Sequence, residues 1–473
     1  MTVDNIDIET TLSDLERLLK EDKTISPTLH STITVLMLVV KLLANKIGLN
    51  SHNSSKPPSS DQNRKKDKAR NRSEKKSGGQ VGHSGTTLEQ TQEPDDVKEL
   101  KIDRRTLPKG NYVDGGIVTR QVFDIDISRY VIEYQAQVLI NKETGKKHTA
   151  SFPKDVTQAV QYGNKIKAHA VYLSQYQLLP YRRVKEYFSD QLGIPISEGS
   201  LHNFNKTAYQ KLLPFEQIAI EKLVHAPLLH VDETGINMNG SKYWLHCATN
   251  TSWTHFFAHQ KRGNEATDAA GILPLYKGIL CHDHWKPYYR YENSLHSLCN
   301  AHHIRELTRA WEQDKQQWAN KIEILLKDIN NAVHESNGKL EEKQSNEYRE
   351  EYRRQLKLAE IECPPPDEKE RNGKGGRLKR SKSRNLLERL VKYEEDVLRF
   401  MDNEIVPFTN NQAERDIRMT KVHQKISGCF RSMEGADMFC RIRGYLSTCR
   451  KNEVTSSQAL SLLFDGKLPS FCC

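Results

Sequence analysis

The spacing of apolar residues changes along the chain and divides it into segments with different predicted structures. Between residues 9 and 49, apolar residues recur every three or four positions, as in amphipathic helices. Pro27 separates this segment into two predicted helices. The second helix is the more apolar, especially from Val35 to Ile47, and a polar segment follows it. Residues 1–49 are therefore predicted to be helical and to support self-association.

Residues 50–96 are rich in Ser, Pro, Gly, Lys and Arg, which predicts a flexible basic arm. Nine Lys or Arg residues stand against three acidic residues between Lys56 and Lys76. A basic block of this kind commonly contacts nucleic-acid phosphates, although a solvated linker that binds nothing has the same composition. The candidate DNA contacts in this arm are Lys65, Lys66, Arg70 and Arg72.

Two further segments precede the middle of the chain. Residues 97–155 alternate between apolar and polar positions and predict a small β-rich module. Residues 156–222 return to a helical period, with one helix that ends at Gly193 and a second that Ser197 caps. This pair predicts a helix-turn-helix-like DNA-binding segment with His202 as a candidate contact. Two packed helices that do not touch DNA are the alternative.

The fold class predicted for residues 223–432 is α/β. Short apolar runs predict five strands, at 226–231, 243–248, 254–257, 278–281 and 294–299. A helix is predicted between the third and fourth strands, at 265–271. Residues from about 301 to 405 are helical and predict a large insertion, and residues 433–473 predict a C-terminal helical region.

Three carboxylates in this core are candidate metal ligands and catalytic residues. Asp232 is predicted to end the first strand and Asp283 the fourth, and Glu414 lies on a later helix that Asn410 or Asn411 can cap. Two strand-end aspartates and a helical glutamate are what a nuclease of the retroviral-integrase type needs to hold two Mg²⁺ or Mn²⁺ ions beside a scissile phosphate.

Two neighbouring acidic residues are weaker candidates. Strand alternation directs the side chain of Glu233 to the opposite face from Asp232. Asp416 lies two positions after Glu414, so its side chain points elsewhere on the helix; it could pair with an arginine and is not a predicted ligand.

Several motifs resemble the IS66 insertion-sequence transposases, over about residues 42–464. They are NSSKPPSSD, GGQVGHSGTTL, HVDETG, CNAHHIREL and PFTNNQAERDIR. The resemblance implies a DDE transposase with an RNase H-like core, which binds the ends of its element and catalyses DNA strand cleavage and strand transfer. It also implies DNA, further copies of the chain and accessory proteins of the same element as partners.

The resemblance gives expected roles to His302, Arg305 and Lys425, and position on the later helix gives them to Asn411, Arg415 and Arg418. His302 and Asn411 are expected to support the active site. Four basic residues are expected to contact DNA: Arg305, Arg415, Arg418 and Lys425. The neighbours of Lys425 depart from the family, since Gln424 and Ile426 stand where Arg and Asn are expected. A catalytically silent, transposase-derived DNA-binding protein is the alternative, as is an RNase H-like nuclease without strand transfer.

Charge and cysteine content indicate which cofactor and which cellular compartment to expect. The formal charge is +10 and apolar residues make up 36%, which suits a polar protein that meets nucleic acid. Related transposases often have a zinc-binding cysteine cluster near residues 97–155, but all nine cysteines here follow residue 246 and none forms a CxxC pair. Zinc is therefore considered unlikely. The absence of a signal-peptide pattern predicts a cytoplasmic protein with no membrane partner.

Overall fold

The computed structural model describes residues 2–3, 6–22, 24–54, 61, 88–125, 127–367, 378 and 380–472. Most of the predicted basic arm, including Lys65, Lys66, Arg70 and Arg72, lies outside these described residues.

The N-terminal segment is a helical hairpin, as its apolar period predicts. Strands β1 (Thr2–Val3) and β2 (Ile6–Asp7) pair and lead into helices α1 (Ile8–Glu21) and α2 (Pro27–Ile47). Ser26 caps α2, and Pro27 occupies its first turn, where a missing N–H costs no hydrogen bond. The two helices pack through a small cluster around Leu12, Leu19 and Met37.

Most apolar side chains of α2 face away from α1. Eight of them are exposed: Leu29, Val35, Leu36, Leu38, Val39, Leu42, Leu43 and Ile47. By length and composition, α2 could cross a membrane, a test that core helices and signal sequences also pass.

The segment 88–155 has little regular structure among its described residues. It contains a short 3₁₀ helix (Arg104–Thr106) and one hairpin, formed by β3 (Val138–Ile140) and β4 (Lys147–Thr149). The alternation predicted a β-rich module here, but side chains such as Val118 and Val122 are about nine-tenths exposed. Alternation therefore overestimated the strand content here, because a strand is stable only where its apolar face meets a partner.

A five-stranded sheet forms the centre of the molecule. Its strands are β5 (Leu228–Met238), β6 (Ser241–Thr249), β7 (Thr254–His259), β8 (Ile279–His282) and β9 (Leu295–Leu298). They lie in the order β7-β6-β5-β8-β9. The first three are antiparallel neighbours, whereas β8 is parallel to both β5 and β9. All five strands were predicted from the sequence.

The first strand is longer than predicted, and Asp232 does not end it. β5 continues to Met238 because it pairs with β6 over residues 230–238. Asn239 and Gly240 make the two-residue turn, with φ of 48° and 85°, as hairpin turns of this length require. Asp232 instead lies within β5, two residues after His230, the last residue of β5 that pairs with β8.

Helices cover both faces and one end of the sheet. Before β5 lie α3 (Asn164–Val171), a π-helical turn (Tyr172–Tyr176), α4 (Tyr181–Leu192), α5 (Glu198–Lys211) and α6 (Leu213–Val224). Helix α7 (Asn264–Ala269) follows β7. After β9 come α8 (Asn300–Glu312), α9 (Gln317–Glu335), α10 (Glu342–Glu362), α11 (Lys382–Lys392) and α12 (Glu394–Asp402). The chain ends with α13 (Asn411–Ser427), α14 (Met433–Lys451) and α15 (Ser456–Phe464). Shorter 3₁₀ helices lie at Leu273–Leu275, Lys286–Arg290 and Ser470–Cys472.

Three apolar clusters hold these layers together. One face of the sheet, including Leu229 and Val231, packs with α3–α6, α14 and α15. The other face, including Ile236, packs with α13 and part of α14, and helices α8–α12 form a cluster of their own beside β8 and β9. A Cβ at Gly444 of α14 would lie 3.1 Å from the Thr254 carbonyl oxygen, so glycine permits this close approach to β7.

Local signals around α4 and α5 are confirmed. Gly193 ends α4 with a left-handed φ of 60°, and the Ser197 hydroxyl caps α5 by accepting from the Ser200 N–H at 3.0 Å. Leu201, Phe204 and Ala208 of α5 lie in the core.

Candidate active site

Asp232 and Asp283 are neighbours because of the strand register. His230 of β5 pairs with Cys281 of β8 in the parallel ladder, and each aspartate lies two residues further along its own chain. Side chains two residues apart share a face of a sheet, and adjacent strands are about 4.8 Å apart. The two carboxylates therefore meet on the face that α13 covers.

Asn410 places the third carboxylate beside them. Its side chain donates to the Val231 carbonyl oxygen and bonds the His230 ring, both at 2.8 Å, and its backbone N–H donates to Cys299 Sγ at 3.1 Å. Helix α13 begins at the next residue, and the Glu414 N–H reaches back to the Asn410 carbonyl oxygen. Glu414 thus lies one helical turn from an anchor on β5.

The predicted capping role of Asn410 and Asn411 is only half right. Asn410 occupies the cap position, but its side chain bonds β5 instead of the helix. Asn411 is the exposed first residue of α13, and whether it supports the site stays a prediction.

These contacts predict that Asn410→Ala destabilises the protein and displaces Glu414. The substitution leaves the Val231 carbonyl and the His230 ring nitrogen buried without partners, which costs about 1–3 kcal/mol of unfolding free energy. Denaturant unfolding should show this loss, whereas Asn411→Ala, one residue away but exposed, should change stability by less than about 0.5 kcal/mol. Equal effects of the two substitutions would contradict the anchoring role.

Negative charge accumulates around Asp232. Burial raises the pKa of its carboxyl well above the usual value, and the carboxylates of Glu233, Asp283 and Glu414 raise it further. The pKa of Glu233 is raised as well, by burial and by Asp283. Such a group of acidic side chains is stable in its ionised form only when a cation compensates it.

A second set of ligand atoms surrounds Glu414. Cys299 Sγ, a ring nitrogen of His302 and a carboxylate oxygen of Glu414 lie within 4.8 Å of one another. Burial lowers the pKa of His302, and the nearby charge of Arg305 lowers it further, while Glu414 opposes both. Neither His302 Nδ1 nor Glu414 Oε1 has a hydrogen-bond partner, although both atoms are buried. His302 Nδ1 lies 3.8 Å from Glu414 Oε1, and the role of His302 in supporting the site stays a prediction.

The environment of Glu233 is not evident from the sequence. Its buried carboxylate accepts from Arg262 Nε at 2.9 Å and from the Tyr288 hydroxyl at 2.6 Å. The Arg262 guanidinium lies over the rings of Trp244 and Trp285, 4.8 and 4.6 Å from their centres. These residues are far apart along the chain, so no local pattern could have grouped them.

Asp416 also has a partner that was not foreseen. It accepts from Lys451 Nζ of α14 at 2.7 Å, and from the Thr249 hydroxyl at the same distance. Both charged side chains are nearly buried, and burial lowers the pKa of the lysine. Asp416 therefore pairs with a lysine, whereas the sequence suggested an arginine.

The candidate DNA contacts occupy different positions. Arg415, Arg418 and Lys425 are exposed on α13. Arg305 on α8 is half-buried near His302, and His202 on α5 is half-buried near Glu434.

Three exposed basic residues of α13 share a side of the helix with the glutamate. Glu414, Arg418, Lys421 and Lys425 follow the spacing i, i+4, i+7 and i+11, which places them on one face. Next to this face lies a groove of about 460 Å³, lined by Lys242, Trp244 and Lys421 among others.

Comparison with known families identifies the family of the chain. A family model described as "Transposase IS66 family" matches residues 159–438, more than half of the chain and all three carboxylates. The protein is therefore of the transposase class, whose partner is DNA. The chain belongs to the IS66 transposase family. A second model, described as "Family of unknown function (DUF6444)", matches residues 5–89. Comparison with curated proteins gave no match.

Proposed function

We propose that this transposase binds the ends of its insertion sequence and catalyses metal-dependent DNA strand cleavage and strand transfer. The observation that supports this most strongly is the meeting of Asp232, Asp283 and Glu414, which come from three elements far apart in the chain.

The core that we propose is RNase H-like. Three antiparallel strands followed by two parallel ones, in the order β7-β6-β5-β8-β9, support this assignment. The positions of the three carboxylates also support it. Asp232 lies on the central strand β5, Asp283 follows the parallel strand β8, and Glu414 lies on the later helix α13. Helices α8–α12 would then be an insertion between the second aspartate and the glutamate.

The residues present fit divalent cations. Burial and the carboxylates of Glu233, Asp283 and Glu414 raise the pKa of Asp232, and the buried Glu414 Oε1 has no hydrogen-bond partner, so oxygen ligands for a cation are available here. Oxygen ligands of this kind suit Mg²⁺ or Mn²⁺. Asp232, Asp283 and Glu414 would hold two ions, which when bound stabilise the attacking and leaving oxygens of an in-line displacement.

The chain itself supplies position and charge in this reaction. Asn410 fixes the distance of Glu414 from β5. The cationic side chains of Arg418 and Lys425 lie further along α13 on the same face as Glu414, where they can bind DNA phosphates. Water first attacks a phosphodiester at the transposon end, and the freed 3′ hydroxyl then attacks the target strand. No covalent bond between protein and DNA is required.

A cleavage assay tests this proposal directly. Purified protein with DNA that includes the element's terminal repeats should produce a 3′ hydroxyl at the end when Mg²⁺ is added. A chelator should stop the reaction without unfolding any domain, and Mg²⁺ or Mn²⁺ should restore it. Cleavage that continues in the presence of a chelator, or a protein–DNA adduct that survives denaturation, would count against this chemistry.

The basic arm gives a separate prediction about binding. Replacement of the nine Lys and Arg residues between Lys56 and Lys76 with Gln should weaken binding to all DNA and reduce its salt dependence, because each phosphate contact contributes about 0.9 to the slope of log affinity against log salt. Titrations at several salt concentrations, with end DNA and with a scrambled sequence, measure both effects. Loss of sequence preference with an unchanged slope would make the arm a base reader instead.

The partners that we propose are DNA at the transposon end and target, further copies of this chain, and accessory proteins of the same element. The exposed apolar side chains of α2 support self-association. Helices α4 and α5 are proposed as a helix-turn-helix-like contact to the end DNA, and the protein is proposed to act in the cytoplasm.

A further inference from the structure

The start of α8 places a thiol and an imidazole next to each other. Cys299 occupies the cap position of this helix, and His302 lies three residues later in its first turn. Side chains at these two positions face one another, which is the geometry that a capping box uses. Here the usual hydroxyl and carboxylate are replaced by sulfur and nitrogen, which are metal ligands.

Asn410 brings the third ligand to this pair. Its N–H donates to Cys299 Sγ, so the start of α13 is held against the start of α8, and Glu414 extends towards His302. His302 Nδ1 and Glu414 Oε1 are 3.8 Å apart. Two ligands of a tetrahedral zinc ion, at bond lengths of about 2.0–2.3 Å, are separated by roughly 3.3–3.5 Å. The three ligand atoms all lie within 4.8 Å of one another, which is close to this spacing.

The polar atoms at this site lack other partners. His302 Nδ1 and Glu414 Oε1 are buried without hydrogen bonds, and an unsatisfied buried polar group costs stability. A cation between them would satisfy both.

The ligand set selects the kind of cation. Mg²⁺ prefers oxygen, whereas a set of sulfur, nitrogen and oxygen suits Zn²⁺ and similar thiophilic ions and leaves a fourth position open. Burial raises the pKa of the Cys299 thiol to about 11, so this thiol is protonated at neutral pH when no metal is bound. When the metal–sulfur bond forms, the S–H bond breaks and the proton passes to solvent.

We propose that Cys299, His302 and Glu414 bind a thiophilic divalent cation such as Zn²⁺, and that this binding switches off DNA cleavage by withdrawing Glu414 from Asp232 and Asp283. The inhibitory half of this inference rests on the proposed function, whereas the binding half does not. The zinc site lies far along the chain from residues 97–155, where the missing cysteine cluster made zinc unlikely.

Cobalt spectroscopy tests the binding half without any enzymatic assay. Co²⁺ added to the full-length, chelator-treated protein should produce the near-ultraviolet charge-transfer absorption of a cobalt–thiolate bond, and Zn²⁺ should abolish it. Cys299→Ser should lose this absorption and His302→Ala should bind Co²⁺ at least about tenfold more weakly, whereas Cys429→Ser, at an exposed cysteine, should retain it. Asp283→Asn should also retain it, because that carboxylate is not a ligand of this site.

Inhibition by zinc tests the second half. With Mg²⁺ in excess, Zn²⁺ should inhibit end cleavage by the parent protein, and Cys299→Ser should require at least about tenfold more Zn²⁺ for half-inhibition. Each variant is compared with its own zinc-free rate, so a general loss of activity does not affect the result.

The outcomes separate the two claims. A cobalt–thiolate absorption that is unchanged in Cys299→Ser overturns the site. Equal inhibition of Cys299→Ser and the parent protein overturns the switch, because zinc would then act at Asp232 and Asp283 or elsewhere. A protein that binds cobalt through Cys299 but never cleaves end DNA contradicts the proposed function and leaves the metal site in place.

Discussion

Asp232→Asn, Asp283→Asn and Glu414→Gln should each reduce Mg²⁺-dependent cleavage of end DNA by about a thousandfold or more. A neutral amide keeps the size of the carboxylate but loses the charge that holds the ions. Several kcal/mol of transition-state stabilisation then disappear, and each 1.4 kcal/mol corresponds to about tenfold in rate. Cleavage of labelled end DNA, measured at saturating protein, reports this loss.

Affinity for end DNA should change little in the same variants, since other segments are proposed to supply binding. Glu335→Gln, at an exposed carboxylate of α9, is the matched control and should cleave as the parent protein does. Activity that is retained in one of the three variants would remove that residue from the proposed ligand set and direct attention to Glu233, the remaining carboxylate beside Asp232.

Substitution of either partner of the ion pair between Asp416 and Lys451 should lower the free energy of unfolding more than any other change predicted for this protein. Lys451 Nζ also donates to the hydroxyl of Thr254 and to the carbonyl of Asn250, so the pair ties α13 and α14 to the turn between β6 and β7. Removal of one partner leaves a charge buried alone, which costs about 3–5 kcal/mol. Lys451→Met and Asp416→Asn should each lower the unfolding free energy by about this amount.

Denaturant unfolding of both single variants and the double variant measures this effect as a cycle. The double variant should lose less than the sum of the two single losses, because it leaves no charge unpaired. Lys327→Met, which breaks an ion pair in which the lysine is half-exposed, should change stability by no more than about 1 kcal/mol. Additive losses would mean that the two charges do not interact.

Much of the sheet could be predicted from the sequence, for a local reason. The runs that form β5 to β9 are short, apolar and bounded by turn residues such as Asn239 and Gly240, and these signals need no knowledge of distant contacts. Gly193 and Ser197 marked helix boundaries in the same local way. Where no partner surface exists, as at Val118 and Val122, the same alternation was misleading.

The candidate site was only partly accessible from the sequence. Asp232, Asp283 and Glu414 were selected by their order along the chain and by resemblance to a family, and residues 159–438 do belong to that family. The length of β5 was misjudged, because the polar residues after Val231 resemble a strand end. They continue as a strand only because β6 folds back and pairs with them.

The sequence by itself determined most of the elements and the family, and it singled out the three carboxylates as candidates, since these depend on local periodicity and on motifs that can be read along the chain. Only the tertiary structure decided their surroundings. Asn410 anchors α13 to β5, Lys451 neutralises Asp416, Arg262 lies between two tryptophans beside Glu233, and Cys299 and His302 converge on Glu414. Each of these contacts joins residues of separate elements. Their distances are set by strand register and helix packing, which no short stretch of sequence specifies.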